Sequence, residues 1–414
     1  MVNEITLKNG LRIIGEKMPG YRSVSVGVWV RAGSQYETPE INGITHFIEH
    51  MLFKGTSKRT AKQIAEEMDA VGGQMNAFTS KECTCFYAKV VDEHLPLAVD
   101  VLCDMIRNPL FDPADIEKEK GVVLEEIDMA EDTPEDAVSE LAMIAQFGDQ
   151  PVSRPILGTD ETVSSLTREA IVRYYSKMYR PETIVISLAG NYDWEEAVNL
   201  IAPYFDEWNG NTEPIAEIKT EITKPEILRK EKDIEQLHIC IGYPGVKIGS
   251  EKVYPLSVFN SVFGGAMSSR LFQRIREEKG MVYTVYSYAG SYTDCGSLTV
   301  YAGTGVENAT EVMSMIREEA LQIARNGLTE EEFIHARDQL KAGVILGGES
   351  TSSRMSSIGR RKLLMNDVET EEAIIAKIDA ITREQVNKLA AEILGSQASV
   401  AVLGKGAGDV VIPF

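Results

Sequence analysis

The residues with the clearest chemical capacity in this chain are His46, Glu49 and His50, within His46-Phe47-Ile48-Glu49-His50. Histidines four residues apart share one face of a helix, with Glu49 close beside them. Two neutral imidazoles and a third protein ligand would hold a zinc ion and leave one position open for chemistry. Glu49 is constrained by the helix backbone to one side of such a metal. From there it can take the proton of an attacking water as general base. The plainer reading is two polar residues on an amphipathic helix. With five histidines in 414 residues, this spacing around a glutamate is rare by chance, and the metal reading outweighs it.

A third ligand is available in the run Glu117 to Ile127. Glu119 and Glu126 are seven residues apart on a helix, about two turns, and point the same way, while Glu125 points about 100° aside. One of the pair can bind metal while the other holds a ligand histidine from behind.

These residues need elements to place them. Ile44, Phe47, Ile48, Met51 and Leu52 recur at helical spacing around the histidines, with Asn42 or Thr45 as start signal and Gly55 as stop. Strands precede the helix: Ile5 to Leu7, Leu11 to Ile14 after an Asn9-Gly10 turn, and Ser23 to Arg31. In the last, Val24, Val26, Val28 and Val30 face one way and Ser25, Gly27 and Trp29 the other. Further helices are expected over Ala61 to Val71, Glu93 to Arg107, Asp112 to about Met129, onward to Phe147, and Leu166 to Tyr179. A hairpin is expected over Gln74 to Val91, and a strand over Thr183 to Ala189.

The second half repeats this order. A strand at Leu237 to Gly242, a helix at Tyr254 to Val262, a strand pair at Tyr283 to Ser291 and Gly296 to Thr304, and helices at Glu307 to Ala324 and Thr329 to Val344 follow in turn. The offset is about 217 residues, a two-fold duplication rather than a solenoid. Phe259, Asn260 and Phe263 stand where the first copy has its ligands, so one metal per chain is expected. The boundaries are a first domain at 1–208, a Lys/Glu/Thr-rich linker with Pro214 and Pro225 at 209–236, and a second domain at 237–414.

Composition narrows the function further. Hydrophobic residues make up 43%, charged residues 25%, and the formal net charge is −21, which disfavours nucleic acid and anionic membrane as partners. No run is long and apolar enough for a membrane helix, and the N-terminus lacks the features of a signal peptide. Five scattered cysteines without a C-x-x-C pair fit a reducing, cytoplasmic setting. Cys83 and Cys85 alternate on one strand face.

His46 to His50 is an H-x-x-E-H motif, set in His46-Phe47-Ile48-Glu49-His50-Met51-Leu52-Phe53-Lys54-Gly55-Thr56. With Gly72-Gly73, Asn76 to Thr84, Glu119, Glu126, Gly264 to Leu271 and Arg276 to Tyr283, the chain resembles the pitrilysin-type (M16) zinc metallopeptidases over nearly its whole length. The resemblance is to the short subfamily with the mitochondrial processing peptidase β-subunit and bacterial processing-peptidase-like proteins. It implies an α+β fold, two homologous domains, each a mixed, mostly antiparallel sheet with helices packed on one face. It assigns zinc to His46, His50 and Glu126, and Glu119 to the support of a ligand. It makes Asn76, Ala77, Phe78 and Thr79 a peptide-binding edge strand. Family members enclose peptides in a chamber of four such domains. A two-domain chain therefore implies a partner chain, most simply a homodimer, with Arg276 and Tyr283 reaching the other protomer's site to hold the scissile carbonyl. The expected activity is endopeptidase cleavage of oligopeptides or unfolded, presequence-like segments. The alternative is a noncatalytic assembly or peptide-binding subunit, against which the intact His46, Glu49, His50 and Glu126 set counts. The short Gly264-Gly265 and the absence of a presequence point to a bacterial-type enzyme rather than an organellar subunit.

Overall fold

The computed structural model describes residues 2–208, 215, 217–221 and 223–414. Part of the 209–236 stretch read as a linker thus lies outside the described residues. The chain forms two compact units. Unit 1 comprises Met1–Ile127, Arg154–Ile218 and Ile345–Glu371, and unit 2 comprises Asp128–Ser153, Lys219–Val344 and Glu372–Phe414.

The strands are β1 (Val2–Thr6), β2 (Arg12–Lys17), β3 (Ser23–Val30), β4 (Gln74–Thr79), β5 (Thr84–Val91), β6 (Ile184–Gly190), β7 (Ile227–Lys230), β8 (Leu237–Pro244), β9 (Val282–Ser291), β10 (Gly296–Thr304) and β11 (Ser399–Leu403). The helices of the first half are α1 (Ile44–Leu52), α2 (Ala61–Asp69), α3 (Leu95–Arg107), α4 (Pro113–Asp132), α5 (Pro134–Phe147), α6 (Asp160–Ser165), α7 (Arg168–Met178) and α8 (Trp194–Ile201). Those of the second are α9 (Val253–Asn260), α10 (Ala309–Asn326), α11 (Glu330–Gly348), α12 (Thr351–Met365), α13 (Glu371–Asp379) and α14 (Arg383–Leu394).

Unit 1 carries a sheet in the order β1-β2-β6-β3-β5-β4, and unit 2 one in the order β7-β11-β8-β10-β9. In each, a single pair is parallel, β2 with β6 and β7 with β11, and the rest are antiparallel. The two orders match strand for strand once β1 is set aside, as a duplication requires. The Asn9-Gly10 turn joins β1 to β2, with Gly10 at φ 91°, a conformation glycine adopts without a side-chain penalty.

The valines of β3 behave as their alternation predicts. Val24, Val26, Val28 and Val30 are buried together with Ile44, Phe47 and Ile48 of α1 and the apolar stripe of α3. This is the main helical layer. The opposite sheet face is also covered, by α12, so unit 1 has a second thin layer beyond the helices expected on one face. Ser25 bonds Thr351 at 2.9 Å, and Trp29 is buried with Met355, Ile358 and Leu363. Close passage depends on two glycines. A Cβ on Gly27 would stand 2.4 Å from Met355 Sδ, and one on Gly359 would stand 2.2 Å from Trp29 Nε1. Burying each of these large apolar side chains contributes roughly 1.5–3 kcal/mol, and the Arg354–Glu16 and Lys362–Glu4 ion pairs flank them. Cys83 and Cys85 share this face, fully buried.

In unit 2, α5 plays the same part. Val138 and Ala142 pack with Cys240, Tyr301, Ala401 and Leu403. The units therefore divide the chain differently from 1–208 and 237–414, because 128–153 belongs to unit 2 and 345–371 to unit 1. Amphipathic periodicity shows that a helix must cover something, not which sheet it covers. Within the expected linker, β7 is an edge strand of the unit 2 sheet. Its mostly exposed, charge-rich sequence is the kind that protects an edge from further pairing.

Candidate metal and peptide site

Helix α1 begins after Gly43, at φ 94°, which has no side chain to cap it. The sequence signals at Asn42 and Thr45 therefore miss the start. The carboxylate of Glu37 takes over, accepting from Gly43 N at 2.8 Å, Thr45 N at 2.8 Å and Asn42 Nδ2 at 2.7 Å. The apolar residues Ile44, Phe47, Ile48, Met51 and Leu52 of α1 are buried, as are Thr45 and His46, and His46, Glu49 and His50 face α4 and β4.

The structure brings His46, His50 and Glu126 together. Nε2 of His46 lies 3.6 Å and Nε2 of His50 3.4 Å from the same Glu126 oxygen, and the three donor atoms fall within 4.8 Å of one another. Ligands about 2.1 Å from a tetrahedral ion stand roughly 3.4 Å apart, so the residues fit a zinc ion. Burial, and then the charge of His50, pull His46 down to about 4, so its ring is neutral near pH 7 and able to donate a lone pair.

Behind His50, Glu119 accepts from Nδ1 at 2.8 Å and is itself held by Lys54 Nζ at 2.6 Å. The chain Lys54–Glu119–His50 orients the ring and keeps Nε2 toward Glu126. Lys54 was not singled out from the sequence, and it lies just past the end of α1, where helical spacing gives no signal. His46 has no such support, because its Nδ1 is buried without a hydrogen-bond partner.

Glu49 lies beside the cluster, and Thr79 Oγ1 of β4 donates to its carboxylate. Burial pushes the Glu49 carboxyl above the usual range, and the nearby Glu126 adds to this. The Thr79 bond and His50 oppose it.

β4 ends the unit 1 sheet, paired on one side with β5. Its residues alternate, with Met75 and Ala77 packed toward the main core. Thr79 shares their parity and reaches Glu49. Phe78 points to the other face, edge-on to Trp29 at 5.7 Å and beside Tyr87 at 6.3 Å. Asn76 Oδ1 accepts from the Ala77 N–H at 2.8 Å.

Arg276 and Tyr283 lie in unit 2. The Arg276 guanidinium is 4.7 Å from the Phe272 ring centroid and 5.5 Å from that of Tyr283, which is 78% exposed. With Gly264, Gly265 and Met267 they line an open cavity of about 260 Å³. Arg276 sits on a wide, π-type helical stretch, Phe272–Glu278, a form that recurs at functional sites. In the second copy Phe259 is buried, and Asn260 is bonded to Ser287 on β9.

The chain is similar to known proteins over nearly its whole length. Residues 12–160 match the family described as insulinase (peptidase family M16), and residues 165–340 match the peptidase M16 inactive domain. An uncharacterized zinc protease of Bacillus subtilis, YmxG, is 44% identical over 403 residues, covering 97% of this chain and 98% of the relative. One from Streptomyces coelicolor is 40% identical, covering 97% and 89%. Among solved structures, a protease from Helicobacter pylori superposes with a TM-score of 0.91 at 19% identity, covering 97% of this chain and 99% of that one. A protein titled peptidase M16 inactive domain, from Pseudomonas fluorescens, does so with 0.90 at 18%, covering 98% of each.

Proposed function

This chain belongs to the insulinase (M16) peptidase family, and on that premise we propose that it is a zinc-dependent endopeptidase acting on oligopeptides or unfolded, presequence-like segments. The observation that carries the proposal is the approach of two histidine Nε2 atoms to one Glu126 oxygen, with Glu49 alongside.

His46, His50 and Glu126 would hold the metal, and Glu119 holds His50. Bound there, zinc would supply a water of lowered pKa, toward ~7, and Lewis acidity toward a carbonyl. Glu49 accepts the proton of the attacking water and passes it to the departing amine, while the bond from Thr79 sets where its carboxylate points. The peptide adds to the open edge of β4 through main-chain hydrogen bonds, which demand little of its sequence. Asn76 swings from the Ala77 N–H to let it pair. Phe78, 39% exposed and backed by the buried Trp29 and by Tyr87, meets a substrate side chain on the face away from the metal.

Arg276 and Tyr283 hold the scissile carbonyl and stabilise its developing negative charge. They act in trans, from the second protomer of a homodimer whose four domains enclose the peptide. The chain works in the cytoplasm. Cys83, Cys85, Cys103 and Cys240 are buried thiols, and among the described residues no helix is long and apolar enough to cross a membrane.

The test is zinc content and cleavage of a quenched peptide by the parent and by Glu49→Gln. The variant should keep its zinc and lose roughly 10²–10⁴-fold in kcat. Full activity in Glu49→Gln would refute the mechanism. Mixing Glu49→Gln with Arg276→Ala protomers tests supply in trans. One hybrid site is then intact and activity should return, and no recovery despite proven subunit exchange would exclude it.

A further inference from the structure

We propose that Glu37 is a positioning residue for the metal helix, setting where His46 and Glu49 stand without touching metal or substrate. The proposal rests on the zinc-peptidase reading and deepens it.

The two histidines are held in different ways. His50 has Glu119 and Lys54 behind it. His46 has nothing on Nδ1, so its orientation follows from packing and from the backbone of the first turn of α1. That turn has free N–H groups and no capping side chain of its own. Glu37, six residues before Gly43 and 3% exposed, supplies the missing acceptor.

Its two oxygens receive three donors. One takes Thr45 N, and the other takes Gly43 N and Asn42 Nδ2. Thr45 immediately precedes His46. An anionic carboxylate also suits the positive end of the helix dipole. Glu37 is fixed in turn, since Arg154 Nη1 donates to its carbonyl, and Asn42 Nδ2 also bonds Pro155 O at 2.9 Å.

Two glycines complete the clamp. Gly43 and Gly158 both have positive φ, and their backbones touch. A Cβ on Gly43 would lie 2.5 Å from Leu157 O, and one on Gly158 would lie 2.4 Å from Asn42 O. Tyr174 OH meets Thr45 Oγ1 at 2.9 Å. The start of α1 is thus set by Glu37, by the 154–158 segment and by α7.

A glutamine cannot replace Glu37. Either amide orientation points an NH₂ group at a backbone N–H, and at 3% exposure no water relieves the conflict. The first turn must shift, carrying His46 and, one residue short of a further turn, Glu49. His50, secured by Glu119, moves less.

The experiment uses the full chain loaded with zinc or cobalt. For Glu37→Gln, the expected result is a folded protein that binds zinc about 10–100-fold more weakly, the usual cost of losing a ligand's support. The cobalt d–d spectrum should differ from the parent's, and kcat should fall with KM unchanged. Asn42→Ala removes only the outermost donor and should shift zinc affinity and cobalt spectrum the same way by less, about threefold to tenfold. Parental zinc affinity and cobalt spectrum in folded Glu37→Gln overturn the proposal. If that variant does not fold, the same result in Asn42→Ala overturns it. If the parent itself binds no metal, the zinc reading fails and the proposal with it, whereas an active parent with an unaffected Glu37→Gln removes the positioning role alone.

Discussion

Truncating Glu119 should weaken metal binding by an amount that can be worked from the geometry. Its Oε1 accepts from His50 Nδ1 at 2.8 Å, its Oε2 pairs with Lys54 at 2.6 Å, and its side chain is 4% exposed. A hydrogen bond to a charged partner contributes ~1.5–3 kcal/mol, and a neutral one ~0.5–1.5 kcal/mol. Glu119→Ala removes the first kind and leaves the ring free to rotate. Zinc affinity should therefore fall by about 10–100-fold, in line with the loss of such partners generally. Glu119→Gln keeps an acceptor for Nδ1 and loses the charge, so the difference of ~1 kcal/mol predicts a loss of about fivefold. Lys54→Met leaves Glu119 without its second anchor and should resemble Glu119→Gln. The assay is competition for zinc against a chromogenic chelator, with denaturant midpoints to confirm folding. Folded Glu119→Ala that binds zinc within twofold of the parent would refute the argument, because His50 would then need no support.

Other expectations concern stability and the peptide site. Gly359→Ala sets a gain in helix propensity of ~1 kcal/mol against a Cβ 2.2 Å from the buried Trp29 Nε1 and 2.6 Å from Ser187 Oγ. Overpacking costs ~1–3 kcal/mol and strains the Trp29–Ser187 bond, so urea denaturation should show net destabilisation. Gly343→Ala on α11, with open space around it, should be neutral or stabilising. Chelation should lower Tm, since zinc at a hundred times its Kd stabilises by ~2.7 kcal/mol, and an unchanged Tm would argue against metal in the folded chain. Asp100 lies below the usual carboxylate range. Burial opposes this, but the bonds from Tyr204 and Arg59, with Arg59's charge, outweigh it. Its contribution is thus present above the unfolded value of about 3.9 and is lost as pH falls through the native one. Asp100→Asn should flatten the acid limb of a stability–pH curve. Arg276→Ala should lower kcat/KM without changing zinc content, and a loss of zinc in that variant would contradict its assigned role.

Much of the site could be read locally. The helix carrying His46 and His50 announces itself through the Ile44–Leu52 stripe, and two-turn spacing places Glu119 and Glu126 on one side of α4. Both are properties of a single helix. The hairpins β4–β5 and β9–β10 and the repeated strand order are likewise short-range. Gly43 as the start of α1 was not legible, because its cap comes from Glu37, outside any helical pattern. Helices α6, α8, α12, α13 and α14 and the strands β7 and β11 were also missed. β7 is short and charged. β11, only Ser399–Leu403, is a central strand whose partners lie far away in sequence.

The amino-acid sequence by itself determined the proposed donor set, the proposed base and the faces they occupy, because residue type and helical or strand period are written residue by residue. Tertiary structure alone decided what depends on distant segments meeting. It brought α4 to within 3.4 Å of His50, set Lys54 against Glu119, and carried Glu37 and Gly158 to the same helix end. It also laid α12 across the far face of the unit 1 sheet. Apart from Glu37, which is close in sequence to the helix it caps, these contacts join segments tens to hundreds of residues apart, and only packing at interior density selects one such arrangement.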